Sequence, residues 1–433
     1  MINKGRMKEI IKDEKRYENV VLMTLAVFVG IVTGISSIIF NKFLEIFHYG
    51  LYDGQILMKR VPLKIKFLII PIVGGLLVGI IGKYFISKED KGFGVSRVIQ
   101  ELDDINKFLM KPRIVFLKTF QTIVTLGSGL SAGRQGPIVH LGGAIGSIIG
   151  YKFNFDETKI RILIGCGVAG SIAGVFNTPI SATIFVLEIL MHKDCLRYFT
   201  PIVISSITSV VMTRFLIGNK VFLSVRGSFG ILSYRELLYY VVLGILLGFL
   251  AIVYIKLIEK TKWIIKKIKI SHCFHPAIGA FVVVIIGYFL PYIFDIEYGT
   301  IGKIIEDKFN VKLLIFLLIG KIVATAATLG SGGVGGVFLP GLYIGAAFGS
   351  IYGNLLCSLV PNNIYNVSSY SLVGMGAMFA AFADAPITAT IMILELTNTY
   401  SIILPILLSC AVGSATIQLI YPKTIYTVSI KKD

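Results

Sequence analysis

TLGSGLSAGRQGPIVHLGGAIGSIIG at 125–150 is written again as TLGSGGVGGVFLPGLYIGAAFGSIYG at 328–353. At an offset of 203 the two stretches agree at 13 of 26 positions without a gap, with glycine the commonest identity. A second pair, PISATIFVLE at 179–188 and PITATIMILE at 386–395, repeats at an offset of 207. Two blocks in the same order in each half mark a duplication. The repeats cover 19–220 and 235–421, leaving a basic segment at 1–18 and a short tail at 422–433.

Composition sets the medium in which these repeats fold. Hydrophobic residues make up 55% of the chain, charged residues 15%, and mean hydropathy is +0.81, too apolar for a soluble protein. Apolar runs long enough to enter or cross a bilayer lie near 19–41, 67–86, 113–130, 161–190, 199–217, 236–258, 275–294, 312–329, 337–360, 369–394 and 402–421. They lack the ten-residue alternation of a membrane β-barrel, so the expected architecture is all-α.

The opening MINKGRMKEIIKDEKR carries charges of both signs and no small-residue cleavage site, so no cleaved signal peptide is expected. Its six basic residues precede the first apolar run, and Lys256, Lys260, Lys262, Lys266, Lys267 and Lys269 follow the run at 236–258. The positive-inside rule places both groups on the cytoplasmic side of a cell membrane, and both termini are expected there. Lys59, Arg60, Lys64 and Lys66 run against this assignment if a single crossing precedes them. The net charge of +18 then reads as topology signal and attraction to anionic lipid, not as a nucleic-acid surface. Five scattered cysteines (166, 195, 273, 357, 410) with no CxxC and five histidines without ligand spacing indicate neither a disulfide framework nor a metal site. The last apolar run ends about a dozen residues before Asp433, so no regulatory domain is expected after it.

Glycines spaced by four, Gly142 with Gly146 and Gly345 with Gly349, suit close helix packing. GSGLSAGRQGP and GSGGVGGVFLP are different, because so many glycines closed by a proline cannot propagate a helix. They read as breaks within the membrane, tolerated only where protein or water satisfies the backbone. Pro137 and Pro340 mark first helical turns, so helices should start at about Gln135 and Phe338. Each break thereby becomes a helix N-terminus with free N–H donors and partial positive charge. Two such ends brought together make a dehydrated anion site, as in transporters built from inverted repeats. A phosphate-binding glycine loop fits poorly, since neither cluster is followed by Lys-Ser/Thr.

From about residue 20 to Ile430 the chain resembles the CLC family of chloride channels and chloride/proton antiporters. Gly133-Arg134-Gln135-Gly136-Pro137 is similar to the family's GREGP, and Gly336-Val337-Phe338-Leu339-Pro340 to its GxFxP. Lys423-Thr424-Ile425-Tyr426 is similar to the segment carrying its anion-coordinating tyrosine, and residues 374–405 to its late helices. The resemblance implies a CLC-like inverted-repeat helical fold with many tilted and broken helices. It also implies a homodimer, one anion pathway per subunit, and bound chloride ions rather than a cofactor. The anion would meet backbone N–H groups near Phe338 and Leu339, those from Arg134 to Gly136, and the hydroxyl of Tyr426.

Four departures bear on mechanism. Phe93 stands where the family has a coordinating serine, and Ser96 where it has proline, so a local shift that lets Ser96 serve is the alternative. Gln135 replaces the gating glutamate with a side chain that cannot ionise. Ile189 aligns with the internal proton-relay glutamate, while its neighbour Glu188 recurs as Glu395, a duplication that favours a structural role at neighbouring helix ends. Arg134 has Val337 as its counterpart, so it either forms an ion pair or raises the local potential for anions.

These residues lead to passive chloride movement without obligatory proton exchange. The alternatives are an antiporter with an atypical proton route, selectivity for fluoride or another small anion, and a structural relative without transport. No nucleophile and base set, metal spacing or cofactor loop points to an enzyme.

Overall fold

The computed structural model describes residues 4–52, 63–87, 94–105, 110–191, 195–219, 223, 225, 229–295, 298–360 and 366–428. In the first half, the helices are α1 (Lys4–Tyr52), α2 (Leu63–Tyr84), α3 (Val95–Asp103), α4 (Pro112–Gly127), α5 (Gln135–Lys152), α6 (Glu157–Phe176), α7 (Pro179–Phe185) and α8 (Cys195–Ile217). The second half holds α9 (Leu237–Lys267), α10 (His275–Phe289), α11 (Gly299–Ile305), α12 (Val311–Gly330), α13 (Phe338–Leu359), α14 (Val367–Ala383), α15 (Pro386–Thr397), α16 (Ile403–Ile420) and α17 (Ile425–Val428). Among the described residues nine helical stretches are long and apolar enough to cross a membrane. The fold is the all-α membrane architecture expected from composition.

Several runs divide or extend for local reasons. The run at 161–190 splits at Asn177, which ends α6 with φ 57, and the run at 369–394 splits at Asp384, which ends α14 with φ 56. Both residue types tolerate the left-handed conformation, and the prolines that follow, Pro179 and Pro386, start new helices. Conversely, α9 does not stop before the lysine cluster: its 31 residues run through Lys267, about 46 Å of helix. The lysine stems thus continue the helix beyond one bilayer thickness.

The two halves are related residue by residue. Gly129 (φ 82) and Gly332 (φ 101) turn the chain at the same point of each break, 203 residues apart. Ser131 donates its N–H to Thr328 Oγ1 at 3.2 Å, and Val334 donates its N–H to Thr125 Oγ1 at 3.3 Å, the same bond run in reverse between halves. At the centre Gly133 N–H donates to Gly336 O and Gly336 N–H to Gly133 O, both at 2.7 Å, in an antiparallel bridge. The breaks thus supply each other's missing backbone partners, which is what permits irregular backbone at membrane depth.

Small residues bring the helix backbones into contact. A Cβ on Gly142 would overlap the Gly167 carbonyl and one on Gly146 the Leu163 carbonyl, where α5 lies on α6. In the other half Gly345 and Gly349 face the carbonyls of Gly374 and Tyr370, where α13 lies on α14. Gly146→Ala and Gly349→Ala are each expected to destabilise the fold by about 1–3 kcal/mol, because backbone cannot give way as a side chain can. Thermal unfolding of the detergent-solubilised protein should show both midpoints lowered; an unchanged midpoint for both would contradict this packing.

Candidate functional site

The site is assembled from helix starts. Gln135 opens α5 and Phe338 opens α13, at the positions the glycine and proline signals indicate, and both are buried. Three glycines let the backbones crowd: a Cβ on Gly94, which precedes α3 with φ 65, would lie 3.2 Å from Gly136 Cα, and one on Gly136 would lie 3.2 Å from Gly336 Cα. Gly133 likewise faces the Leu339 N–H, with that nitrogen 3.1 Å from its would-be Cβ. The starts of α3, α5 and α13 are therefore in contact, and the first N–H groups of each helix have no partner within it.

α17 completes the ring. Ser96 Oγ donates to the Tyr426 carbonyl oxygen at 2.9 Å, which pins the tyrosine to the first turn of α3. That bond engages the Ser96 hydroxyl proton and anchors α17 to α3. Phe93 lies outside the described residues. The Phe338 ring is locked edge-on between Phe379, at 4.8 Å, and Phe176, at 5.6 Å, which fixes the backbone of that turn.

Two donors in this region stand out. Among the described residues neither Gln135 Nε2 nor the Tyr426 hydroxyl has a hydrogen-bond partner, although both are buried. Leaving such donors unsatisfied costs about 1–3 kcal/mol each, and an acceptor held at the converging helix starts would offset that cost. Arg134 precedes them, donates from Nη1 to Asn41 Oδ1 at 3.3 Å, and borders a cavity of about 520 Å³ that Arg214, Tyr298 and Lys303 also line.

Glu188 and Ile189 lie on a five-residue π turn, Val186–Leu190, that extends α7. Glu188 accepts from Ile387 N–H (3.1 Å), Thr388 N–H (2.7 Å) and Thr388 Oγ1 (2.5 Å) at the start of α15. Glu395 on α15 accepts from Ile180 N–H (3.0 Å) and Ser181 N–H (2.8 Å) at the start of α7. Each half therefore caps a helix of the other with a carboxylate, the structural role that the duplication of Glu188 suggested. Ile189 is buried in apolar core.

Sequence reasoning missed the buried polar groups outside the quoted blocks. Glu101 on α3 is fully buried and accepts from Ser147 Oγ at 2.5 Å; Lys118 on α4 and Lys321 on α12 are buried as well. The lysines occupy equivalent places 203 residues apart, so extending the repeat alignment seven residues upstream of Thr125 would have exposed them.

An integral membrane protein of two inverted halves whose helix starts meet at its centre is the class that fold and site define. The chain belongs to the voltage gated chloride channel family, whose model matches residues 74–418. It is 27% identical over 420 residues to a ClcB-like protein of Ralstonia nicotianae, covering 95% of this chain and 97% of the relative. It is 29% identical over 364 residues to the H(+)/Cl(-) exchange transporter ClcA of Vibrio campbellii, covering 80% of this chain and 76% of the relative. A slow cyanobacterial Cl-/H+ antiporter of known structure shares the fold, with a TM-score of 0.82, 23% identity, and coverage of 95% and 97% of the two chains.

Removing either cap carboxylate leaves two helix-start N–H groups of the opposite half without their acceptor. Glu188→Ala and Glu395→Ala should each lower the thermal midpoint by a similar amount, corresponding to about 1–3 kcal/mol. A large effect of one with none of the other would show that the caps are not equivalent.

Proposed function

We propose that the protein transports anions, chloride foremost, across the membrane through the junction of α3, α5, α13 and α17. The observation that carries this reading is the pair of buried donors, Gln135 Nε2 and the Tyr426 hydroxyl, set where three helix N-termini converge. A small anion accepts from such donors without needing a full countercharge, and so can bind and leave. The proposed site comprises Gln135, Gly136, Phe338, Leu339 and Tyr426, with Arg134 beside it; Phe93, also a candidate from the sequence, lies outside the described residues. We include in the reading a homodimer in the cell membrane, with both termini cytoplasmic; the exposed Ile180 and Ile387 beside the carboxylate caps offer it an apolar face.

Two modes of transport have separate supports. Exchange of chloride for protons is the mode named for the ClcA relative, and the relatives favour it over plain conduction. The chain's own site chemistry favours an uncoupled path: Gln135 cannot bind and release a proton, Ile189 has no acid, and Glu188 is engaged by three donors. An exchange cycle here would need a proton route that bypasses Gln135, with Glu188 the intramembrane acid that the sequence offers for it.

Reconstitution in liposomes with a chloride gradient separates the modes. Chloride efflux that requires a potassium ionophore and moves no protons supports the uncoupled path; proton uptake driven uphill by chloride establishes exchange. No flux above protein-free liposomes would contradict anion transport itself, and competition among halides distinguishes chloride from fluoride. In the variant Gln135→Glu a charged carboxylate competes with the anion at high pH and is neutralised at low pH. Its flux should therefore fall as pH rises, by tenfold or more, while the unaltered protein lacks this dependence; the flux-pH profiles of the two proteins check it.

A further inference from the structure

Three membrane-length stretches end near one corner of the molecule. The stretch on α2 stops at Tyr84, one residue after Lys83; that on α9 stops at Lys267; that on α10 begins at His272, one residue after Ser271. Lys83 Nζ donates to Ser271 Oγ at 2.9 Å, which ties the end of α2 to the turn between α9 and α10. The packing beneath that bond is close: a Cβ on Gly79 would overlap the Cys273 carbonyl, and one on Gly75 would lie 2.7 Å from the Pro276 carbonyl oxygen. Lys267 Nζ lies 3.5 Å from the ring centroid of Trp263, the chain's single tryptophan, and Lys83 Nζ lies 5.0 Å from that of Tyr84. Both rings are exposed, as is Phe274. Aromatic rings and basic heads together at the ends of spans mark the headgroup level of a bilayer.

Charge at this corner has one sign. Five lysines follow Glu259 before the next acid, Asp295, and Glu259 itself accepts from the Tyr421 hydroxyl at 2.8 Å. The helices packed on α9 and α10 do not supply the opposing charge either, since α2, α12, α13, α14 and α16 contain no Asp or Glu. Ser271 Oγ accepts from Lys83 Nζ and, at 3.3 Å, from Cys273 Sγ, which leaves its own proton to be donated outward.

We propose that Lys83, Lys267 and Ser271 form a binding site for the phosphodiester headgroup of an anionic phospholipid, in the leaflet that the positive-inside rule assigns to the cytoplasm. The two lysines supply charge, the Ser271 hydroxyl donates to a phosphate oxygen, and the exposed Trp263 and Phe274 lie along the glycerol and upper acyl chains. The turn that holds the lipid is also the wall behind the second break. A Cβ on Gly330, the last residue of α12, would lie 2.6 Å from Thr261 Cβ on α9, and one on Gly279 in α10 would overlap the Ser331 side chain. In the first half the chain braces its own break: His48 Nδ1 lies 3.0 Å from the Gly127 carbonyl oxygen, and the Tyr52 hydroxyl donates to that of Ser128 at 2.9 Å. A headgroup that joins α2 to the α9–α10 turn braces the second break from outside. The purely structural reading is that Lys83 only pins α2 to Ser271.

The test is thermal unfolding of the detergent-solubilised protein titrated with dioleoylphosphatidylglycerol, compared with dioleoylphosphatidylcholine and with inorganic phosphate; it does not depend on the anion-transport reading. Phosphatidylglycerol should raise the midpoint saturably and the other two should not. Lys83→Gln and Lys267→Gln should each raise the half-saturating mole fraction of phosphatidylglycerol about fivefold, the weight of one lysine at an anionic headgroup. Lys312→Gln, at an exposed lysine near the start of α12, should keep the wild-type value. Native mass spectrometry gives a second readout: phosphatidylglycerol should stay bound to the wild-type protein and be lost from the double variant. Equal stabilisation by phosphatidylcholine would assign the effect to bulk lipid, and equal stabilisation by phosphate to a free anion. A midpoint lowered in Lys83→Gln with half-saturation unchanged in both single variants would leave the structural reading. Each of these three results would overturn the inference.

Discussion

The rest of the structure depends on one reciprocal contact, the pair of hydrogen bonds between the backbones of Gly133 and Gly336. Each break in a membrane helix leaves polar backbone without partners, and in hydrocarbon that cost forbids an isolated break. Here each break is the other's partner, so two unfavourable segments become one stable bridge. Only glycine fits: the would-be Cβ on Gly336 lies 2.8 Å from the Gly136 nitrogen, and one on Gly136 lies 3.2 Å from Gly336 Cα. Once the breaks are paired, the starts of α5 and α13 must lie side by side at the centre of the protein. An electropositive site follows from the fold itself rather than from a charged side chain placed within it.

The same logic of exchange between halves recurs at the junction of α7 and α15. Those helices begin after left-handed caps at Asn177 and Asp384, and their first N–H groups receive carboxylates from the opposite half. Membrane charges are costly when single, but a carboxylate accepting two or three donors at a helix start is both hydrogen-bonded and favourably placed in the helix dipole. Glu188 and Glu395 thus hold the halves together at the periphery while Gly133 and Gly336 hold them at the centre. The halves differ where mechanism is concerned. One start carries Arg134 and Gln135 and the other Val337 and Phe338, and among the described residues the π turn lies in the first half alone, a feature frequent at functional sites.

Much of this was legible in the sequence because glycine and proline act locally. The starts of α5 and α13, the breaks before them and the close packing at Gly142, Gly146, Gly345 and Gly349 each follow from what one residue type permits. The recurrence of Glu188 as Glu395 was sufficient to favour helix capping, but not to show that the caps cross between halves, since that depends on three-dimensional pairing. The engagement of Ser96 with Tyr426 was equally invisible, because 330 residues separate the partners. Lys118 and Lys321 escaped notice for a different reason: apolar neighbours surround them, and a lysine within a hydrophobic run leaves no periodic trace.

In the proposed mechanism, converging helix starts, with Gln135 and Tyr426 as side-chain donors, form a single dehydrated anion site. Anomalous diffraction from crystals grown in bromide addresses it directly. A bromide peak is expected within hydrogen-bonding distance of the backbone N–H of Phe338 or Leu339 and of the Tyr426 hydroxyl, beside Gln135. Bromide peaks elsewhere in the protein with none at this junction, or a Tyr426 hydroxyl bonded to another protein group, would contradict it.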